Sequence, residues 1–235
     1  LDKDGTGGST NNLLNMTIST AGNLTLNATT SIGSWTLNAA TGTILEERQW
    51  YHIVWTSDGT KHNVYKNGAN TYYNATGGAM EATNSTVRIG TTADSLNKWL
   101  NGFIDELIIY KGVFMDANTV IDHYMTGRAG SHLTANSSTV LHIKSDDVYG
   151  STNITDSSPS SHTITNYKGV YHHIQDNRTA NTALYFDGYS YLRFPNTAEM
   201  KLGADGADYC IEAWVKPEQQ NGFLFYSVAG TTYNG

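Results

Sequence analysis

The sequence predicts an all-β fold, and three of its features support that prediction. Charged residues make up 15% of the 235 residues while glycine occurs 23 times, a composition that is typical of strands joined by many turns. Residues 50–55 alternate in the two-residue period of a strand. Turn signals stand at residues 57–59 and 67–68, which indicates successive antiparallel hairpins.

The stretch that precedes these hairpins reads as short strands separated by turns, from Leu13 to Thr43. Residues 2–7, DKDGTG, have the oxygen-rich spacing of a calcium loop. No acidic residue stands where a twelve-residue loop places its bidentate glutamate. We therefore favour a glycine-rich turn over a calcium loop for residues 1–10.

Further elements follow the hairpins. Residues 103–110 are apolar and predict another strand, and residues 115–124 place their large apolar side chains on one face of a helical period, which predicts a short helix. Residues 125–136 are small, polar and glycine-containing, as at a domain boundary. Residues 139–143 again have the pattern of a strand.

Charge and hydropathy exclude two classes of partner. The formal net charge is −7, whereas nucleic acids and anionic membranes are bound by basic surfaces. No run approaches the roughly 20 apolar residues of a membrane-spanning helix. The single cysteine, Cys210, excludes an internal disulfide, and its apolar neighbours predict a small buried side chain. We expect neither nucleic acid binding nor membrane insertion.

The order of motifs between residues 50 and 124 resembles the second half of a laminin G-like domain, of the concanavalin A-like lectin/glucanase family. The motifs are WYH at 50–52, VYKNG at 64–68 and GFIDE at 102–106, followed by a short helix that ends in tyrosine. The resemblance implies an all-β, two-sheet antiparallel jelly-roll sandwich with one short helix near residues 115–125. It implies less about activity, because one fold hosts many functions.

The remainder of the chain resembles the first half of the same domain. The matching motifs are TDSSPSSHTI at 155–164, ALYFDGYSYL at 183–192 and CIEAWVKP at 210–217. We therefore interpret residues 1–130 as the C-terminal half of a laminin G-like domain, residues 131–136 as a linker, and residues 137–235 as the N-terminal half. The halves stand in permuted order.

Three arrangements explain this order. The chain is a window cut from a tandem array, a circular permutant whose halves close within one chain, or an assembly unit whose front half completes a neighbour. Isolated half-sandwiches would expose core faces and strand edges to water. We favour the repeat unit of a fibre in which the halves of successive units close each bead.

Asp105 and Glu106 are the most prominent acidic pair. A retaining glycosidase needs two carboxylates about 5–5.5 Å apart, and the related glucanases carry theirs as E-x-D-x-x-E on one strand. Adjacent strand residues point to opposite faces, so Asp105 and Glu106 should not share a cleft. Glu212 stands alone in its strand. We therefore expect no enzyme activity.

The resemblance implies instead a structural calcium ion that joins the two halves. Its ligands would be Asp105, Asp187 and the carbonyl of Gly188, and carboxylate and carbonyl oxygens suit Ca²⁺. The alternative is that Asp105 caps a turn or accepts hydrogen bonds from backbone amides. His52, which lies in the strand beside Trp50, is expected to be a core histidine with a satisfied ring.

A sugar site would place an aromatic platform and polar neighbours on an exposed loop. The candidates are Tyr72, Tyr73, Trp99, Tyr189 and Tyr191. The first functional hypothesis is a non-catalytic structural or adhesive module of an extracellular, cell-surface or virion-surface fibre, with copies of itself as partners. The second is a carbohydrate-binding lectin module for attachment to a host or surface, and a glucanase-like glycosidase is the third.

Overall fold

A computed structural model describes residues 13–30, 33–38, 43–74, 85–91, 99–174, 178–179, 181–195, 197–202 and 207–229. The first part of the chain forms β1 (Leu13–Ile18), β2 (Leu24–Thr30), β3 (Gly33–Asn38), β4 (Tyr51–Ser57), β5 (His62–Lys66), β6 (Ala69–Asn74), β7 (Ser85–Ile89), β8 (Asn101–Lys111) and α1 (Ala117–Arg128). The second part forms β9 (Thr139–Ile143), β10 (Thr165–Tyr167), β11 (Tyr171–His173), β12 (Ala183–Asp187), β13 (Tyr191–Arg193), β14 (Tyr209–Pro217) and β15 (Gly222–Ala229).

These strands form two sheets. One sheet has seven strands in the order β10-β13-β7-β15-β1-β2-β3. The other has eight: β11-β12-β8-β14-β4-β5-β6 in order, with β9 also paired to β8. All of these pairings are antiparallel. The predicted two-sheet antiparallel sandwich is confirmed.

Strands of the two segments, 1–130 and 137–235, are interleaved in both sheets. β15 lies between β7 and β1, and β14 lies between β8 and β4. Each of these two strands of the second segment therefore lies between two strands of the first segment and is hydrogen-bonded to both. Neither segment holds a complete sheet, so within this chain the two segments complete one sandwich.

The space between the sheets is filled by apolar side chains of both segments. The core includes Met16 and Ile53 from the first segment and Ile211 and Phe225 from the second, all nearly inaccessible to solvent. The cavity that these side chains line measures only about 20 Å³. A cavity of this size holds no organic ligand, so ligand binding must be sought on the outer surfaces.

Part of the outer face of the eight-stranded sheet is covered by α1. Helix α1 begins after Asp116, whose carboxylate accepts a hydrogen bond from the backbone N–H of Thr119. It packs on a second apolar cluster that includes Val54, Ile108 and Val120. The helix predicted near residues 115–125 is thus observed at Ala117–Arg128.

Helix α1 lies against β14 at Gly127. A Cβ atom on this residue would collide with the indole of Trp214 in β14, so only glycine allows the helix to pass there. The helix therefore contacts the second segment directly. Within the described residues, no helix has the length and apolar character needed to cross a membrane.

The predicted hairpin at residues 67–68 is confirmed and connects β5 to β6. Asn67 and Gly68 have φ angles of 53° and 80°, as required by the two central residues of a type I′ turn. A Cβ on Gly68 would lie 3.3 Å from the ring of Tyr124 in α1. The turn therefore also supports the helix.

Candidate functional site

A β-bulge in β8 determines where the acidic pair points. Trp214 lies opposite Asp105 and Glu212 lies opposite Ile108, so one residue of β14 faces two of β8, Glu106 and Leu107. Glu106 has a φ of 50°, which is the left-handed conformation found in bulges. Ile104 and Leu107 both belong to the inner core. The two residues between them are consequently excluded from it, and the prediction that Asp105 and Glu106 lie on opposite faces is wrong.

The carboxylate of Asp105 is saturated by groups of the second segment. Its Oδ2 accepts hydrogen bonds from the backbone N–H groups of Arg178 at 2.9 Å and Thr179 at 2.8 Å. Its Oδ1 accepts a bond from the Thr179 hydroxyl at 2.9 Å. Burial raises the pKa of Asp105 to about 7, although these donors oppose the rise. Asp105 thus accepts hydrogen bonds from backbone amides, which is the alternative to calcium binding that the sequence offered for this residue.

The carboxylate of Glu106 is held by the linker and by β9. Its Oε1 accepts a hydrogen bond from the backbone N–H of Leu133 at 2.8 Å and lies 2.8 Å from Nε2 of His142. Its Oε2 lies 2.5 Å from Nδ1 of His132. The other nitrogen of His132 lies 2.6 Å from the carboxylate of Asp146. The bulge therefore anchors the residues that follow α1.

Glu212 in β14 makes a third buried carboxylate site, with two histidines of the first segment. Its oxygens lie 3.0 Å from Nδ1 of His123 in α1 and 3.3 Å from Nε2 of His52 in β4. Burial raises the pKa of Glu212, but the two histidines more than offset it and the pKa falls to about 2. Burial lowers the pKa of His123, but the hydrogen bond and the charge of Glu212 outweigh burial, so the pKa of His123 is raised. His52 is a buried core residue, as predicted, but only its Nε2 faces a partner; its Nδ1 has none among the described residues.

None of these three carboxylates is open to a substrate. Asp105, Glu106 and Glu212 are each at most 2% exposed, and each is surrounded by hydrogen-bond donors of the protein. A glycosidase acid must reach the glycosidic oxygen, and its partner must reach the anomeric carbon or a water. The acidic residues instead join the two segments of the sandwich.

The residues expected to bind calcium do not converge. Asp187 lies opposite Asn101, four residues before Asp105 on β8, which separates them by roughly 14 Å along the strand. Asp187 accepts a hydrogen bond from the backbone N–H of Tyr189, and the N–H of Gly188 donates to the carbonyl of Leu100. Among the described residues no three His, Cys, Asp or Glu side chains are arranged to hold a metal. The possible calcium loop at residues 1–10 lies outside the described residues.

Two of the five predicted sugar-binding residues meet on the outer face of the seven-stranded sheet. The rings of Trp99 and Tyr191 are 5.8 Å apart, and the ring of Tyr191 stacks on Tyr167 at 4.5 Å with an interplanar angle of 5°. Three cations lie over these rings at 5.1–5.9 Å. We call this surface the Trp99 patch; its members are Trp99, Tyr167, Tyr191, Lys168, Arg88 and Arg193.

The other three predicted residues lie apart from this stacked group. Tyr189 is 68% exposed and precedes Tyr191 by two residues. Tyr72 and Tyr73 belong to β6, the strand at the far edge of the other sheet. Tyr72 packs partly against the core, whereas Tyr73 is exposed. The five residues therefore do not form one platform.

A second aromatic surface was missed in the sequence. Tyr171, Tyr185 and Phe103 occupy facing positions on β11, β12 and β8, and Lys216 of β14 continues the line. Neighbouring rings are 4.9–5.5 Å apart. We call this line the Tyr185 row. The pairing of β12 with β8, which joins residues 80–86 positions apart in the chain, is what creates it.

The fold is that of a lectin-like antiparallel sandwich, and the comparison with known families agrees. A laminin G family model, described as the concanavalin A-like lectin/glucanases superfamily, matches residues 2–120. This is just over half of the 235 residues, and the chain belongs to this family. Laminin G-like domains are generally non-catalytic and typically extracellular or surface-associated. Comparisons with curated proteins and with solved structures give no match.

Proposed function

We propose that this domain is a non-catalytic adhesive module of an extracellular or virion-surface protein, and that it binds a saccharide at the Trp99 patch. The observation that supports this most is the stacked, half-buried pair Tyr167 and Tyr191 with Trp99 beside it. The apolar C–H face of a sugar ring packs on such rings, while hydroxyl groups of the sugar bond to polar neighbours.

The cations of the patch provide those polar neighbours. Arg193 donates from Nη1 to the hydroxyl of Tyr167 at 3.1 Å, and Nζ of Lys168 lies 5.1 Å from the centre of the Trp99 ring. Cations held over rings are ordered without being withdrawn from solvent. They place hydrogen-bond donors at the edge of the aromatic surface.

The test is binding of the purified chain to an array of immobilised neutral and acidic glycans, followed by variants. We expect Tyr191→Ala to weaken binding about tenfold, which corresponds to roughly 1.4 kcal/mol. Lys168→Ala, on an exposed side chain, should weaken it less and leave the melting temperature unchanged. Tyr73→Ala and Tyr185→Ala are the controls on the other sheet.

Two results would contradict the proposal. One is the absence of binding to every glycan. The other is a loss of binding in Tyr185→Ala with Tyr191→Ala unaffected, which would move the site to the Tyr185 row. If Tyr191→Ala lowers the melting temperature, the glycan binding of Lys168→Ala is used to test the proposal instead.

We also propose, as a second function, that copies of the chain assemble into a fibre by exchanging segments. The supporting observation is the central position of β14 and β15 in their sheets. If the second segment of one copy entered a neighbour, every strand pairing would be kept while the copies became linked. Residues 131–136, between α1 and β9, would act as the hinge.

Light scattering after size-exclusion chromatography tests this assembly. A fibre unit should show dimers and larger species whose fraction grows with protein concentration and incubation time. Copies that remain monomeric at millimolar concentration would contradict exchange. Saccharide binding is measured separately, so the two proposals stand or fall independently.

A further inference from the structure

The second segment contains a polar pocket that the proposed function does not use. Its volume is about 240 Å³. It lies where the chain leaves β9 and turns back beside β11, and no aromatic side chain of the Trp99 patch or the Tyr185 row lines it. The lining residues are Ile143, Lys144, Ser145, Asp146, Asp147, Asn153, Thr155, Ser157 and His172.

The walls of this pocket are held in place by a set of polar contacts. The Thr182 hydroxyl donates to the carbonyl of Ser145 and lies 3.1 Å from the carbonyl of Asp147. Nε2 of His172 lies 3.0 Å from the carbonyl of Asn153. Asp147 uses one carboxylate oxygen for the backbone N–H of Val148 and the other for the Ser151 hydroxyl. The pocket is therefore a built site rather than a gap between loops.

Ser145 is the feature that points to a ligand. It is 3% exposed and lines the pocket. Its hydroxyl has no hydrogen-bond partner among the residues that the structure describes, although buried hydroxyl groups are nearly always bonded. Its φ of 61° is a left-handed conformation that is strained for serine. The fold thus keeps a strained residue and an unpaired hydroxyl at the pocket wall.

The charges around the pocket select the kind of ligand. Asp146 is engaged by His132 at 2.6 Å, and both oxygens of Asp147 are used in its own turn. Lys144 places a cation in the same lining. The remaining groups, from Ser145, Asn153, Thr155 and Ser157, are hydroxyls and an amide, which both donate and accept hydrogen bonds. Groups of this kind match ligand hydroxyls.

We propose that this pocket binds one sugar residue of a saccharide, as a second binding site distinct from the Trp99 patch. The volume is several times that of a single water, roughly 30 Å³, and lies just below the roughly 300 Å³ at which pockets for drug-sized ligands begin. A bare cation would leave most of it empty, and Lys144 disfavours one. The inference does not depend on the Trp99 patch, because it rests on different residues and a different sheet edge.

The test uses a panel of methyl glycosides of common hexoses and their N-acetylated forms, titrated into the ¹⁵N-labelled chain. We expect shifts of backbone resonances between residues 144 and 157 with a dissociation constant on the order of 1 mM. Ser145→Ala and Ser145→Gly remove the hydroxyl and should weaken binding about fivefold. Ser145→Gly also relieves the backbone strain and should fold at least as stably as the native chain.

Ser161→Gly is the matched control, because Ser161 also has a positive φ, of 46°, and does not line the pocket. Tyr191→Ala should leave the monosaccharide shifts unchanged. The proposal is overturned if no glycoside shifts residues 144–157, if Ser145→Gly binds as tightly as the native chain, or if CaCl₂ alone saturates the pocket. If the native chain binds no glycan on the array but still binds a methyl glycoside at residues 144–157, the proposal for the Trp99 patch is overturned and the proposal for this pocket stands.

Discussion

Asp105 and Glu212 are two buried carboxylates on neighbouring strands, and their acidities move in opposite directions. Both are at most 1% exposed, and each bonds across the boundary between the two segments. The pKa of Asp105 rises to about 7, whereas that of Glu212 falls to about 2. Burial alone therefore does not decide whether a carboxylate of this sheet is charged.

The partners explain the difference. Asp105 is bonded by two backbone N–H groups and a hydroxyl, all neutral, and the carboxylate of Glu106 lies beside it. Glu212 is bonded by two histidines that can carry a proton. Neutral donors reduce the cost of burying a charge, while a cation offsets it. Glu212 thus forms an ionic joint between α1 and the sheet, and Asp105 forms a neutral one.

The largest expected effect is the loss of the ionic joint. Glu212→Ala leaves His52 and His123 without their shared carboxylate, and we expect it to lower the free energy of unfolding at pH 7 by about 3–5 kcal/mol. Urea denaturation followed by tryptophan fluorescence measures this. The control is Asp122→Asn, which removes an exposed acid next to His123 on α1 and should cost less than about 0.5 kcal/mol. If Glu212→Ala lowers the free energy of unfolding by less than about 1 kcal/mol, then the contacts of Glu212 with His52 and His123 do not stabilise the fold as proposed.

The pH dependence separates the two carboxylates. The depressed pKa of Glu212 provides stability that is present above its unfolded value of 4.5 and is lost as pH falls through about 2, which amounts to about 3 kcal/mol. His123, with a raised pKa, contributes below its unfolded value of 6.5 and loses that contribution as pH rises through its folded pKa. We expect urea midpoints to rise between about pH 2 and 4.5 and to fall at higher pH, because Asp105 loses its contribution between 3.8 and about 7 and His123 loses its own above 6.5. Glu212→Gln should flatten the acid limb.

A smaller effect is expected at the neutral joint, and it should have the opposite pH dependence. Because the pKa of Asp105 is raised, its contribution is full below its unfolded value of 3.8 and is lost as pH rises through about 7. Asp105→Asn keeps one acceptor oxygen and should cost about 1 kcal/mol at pH 5. It should cost less at pH 8, since asparagine does not ionise. A larger cost at pH 8 than at pH 5 would mean that Asp105 is ionised throughout.

The sequence shows part of this arrangement and hides the rest for identifiable reasons. The alternation of residues 50–55, the turn at Asn67-Gly68 and the helix near residues 115–125 are local patterns, and each predicts an element that is observed to within about three residues. The bulge at Glu106 leaves no local signal, because the residue is not glycine and the run of apolar neighbours continues through it. The two-residue period then assigns the acidic pair to opposite faces, and every later inference about that pair inherits the error.

The proposed binding surfaces depend even more on pairings between distant segments. Trp99 and Tyr191 are recognisable as candidates by residue type, but their contact follows from the pairing of β12 with β8, which places Gly188 against Leu100. The Tyr185 row and the polar pocket that Ser145 lines likewise require β9, β11 and β12 to be placed on one side of β8. Residue type therefore identifies candidates, and only the sheet order groups them.

The smallest effect tests whether burial or a like charge raises the pKa of Asp105. Glu106→Gln removes the neighbouring charge, which is the least of the causes acting on Asp105, behind burial and the three hydrogen bonds. We expect the pKa of Asp105, followed by ¹³C carboxyl shifts, to decrease slightly and to stay well above 3.8. Glu106→Asp, which keeps the charge, is the control and should leave the pKa raised. A return to the ordinary value in Glu106→Gln alone would attribute the shift to repulsion across the bulge, and the contrast with Glu212 would then rest on a neighbouring anion rather than on neutral partners.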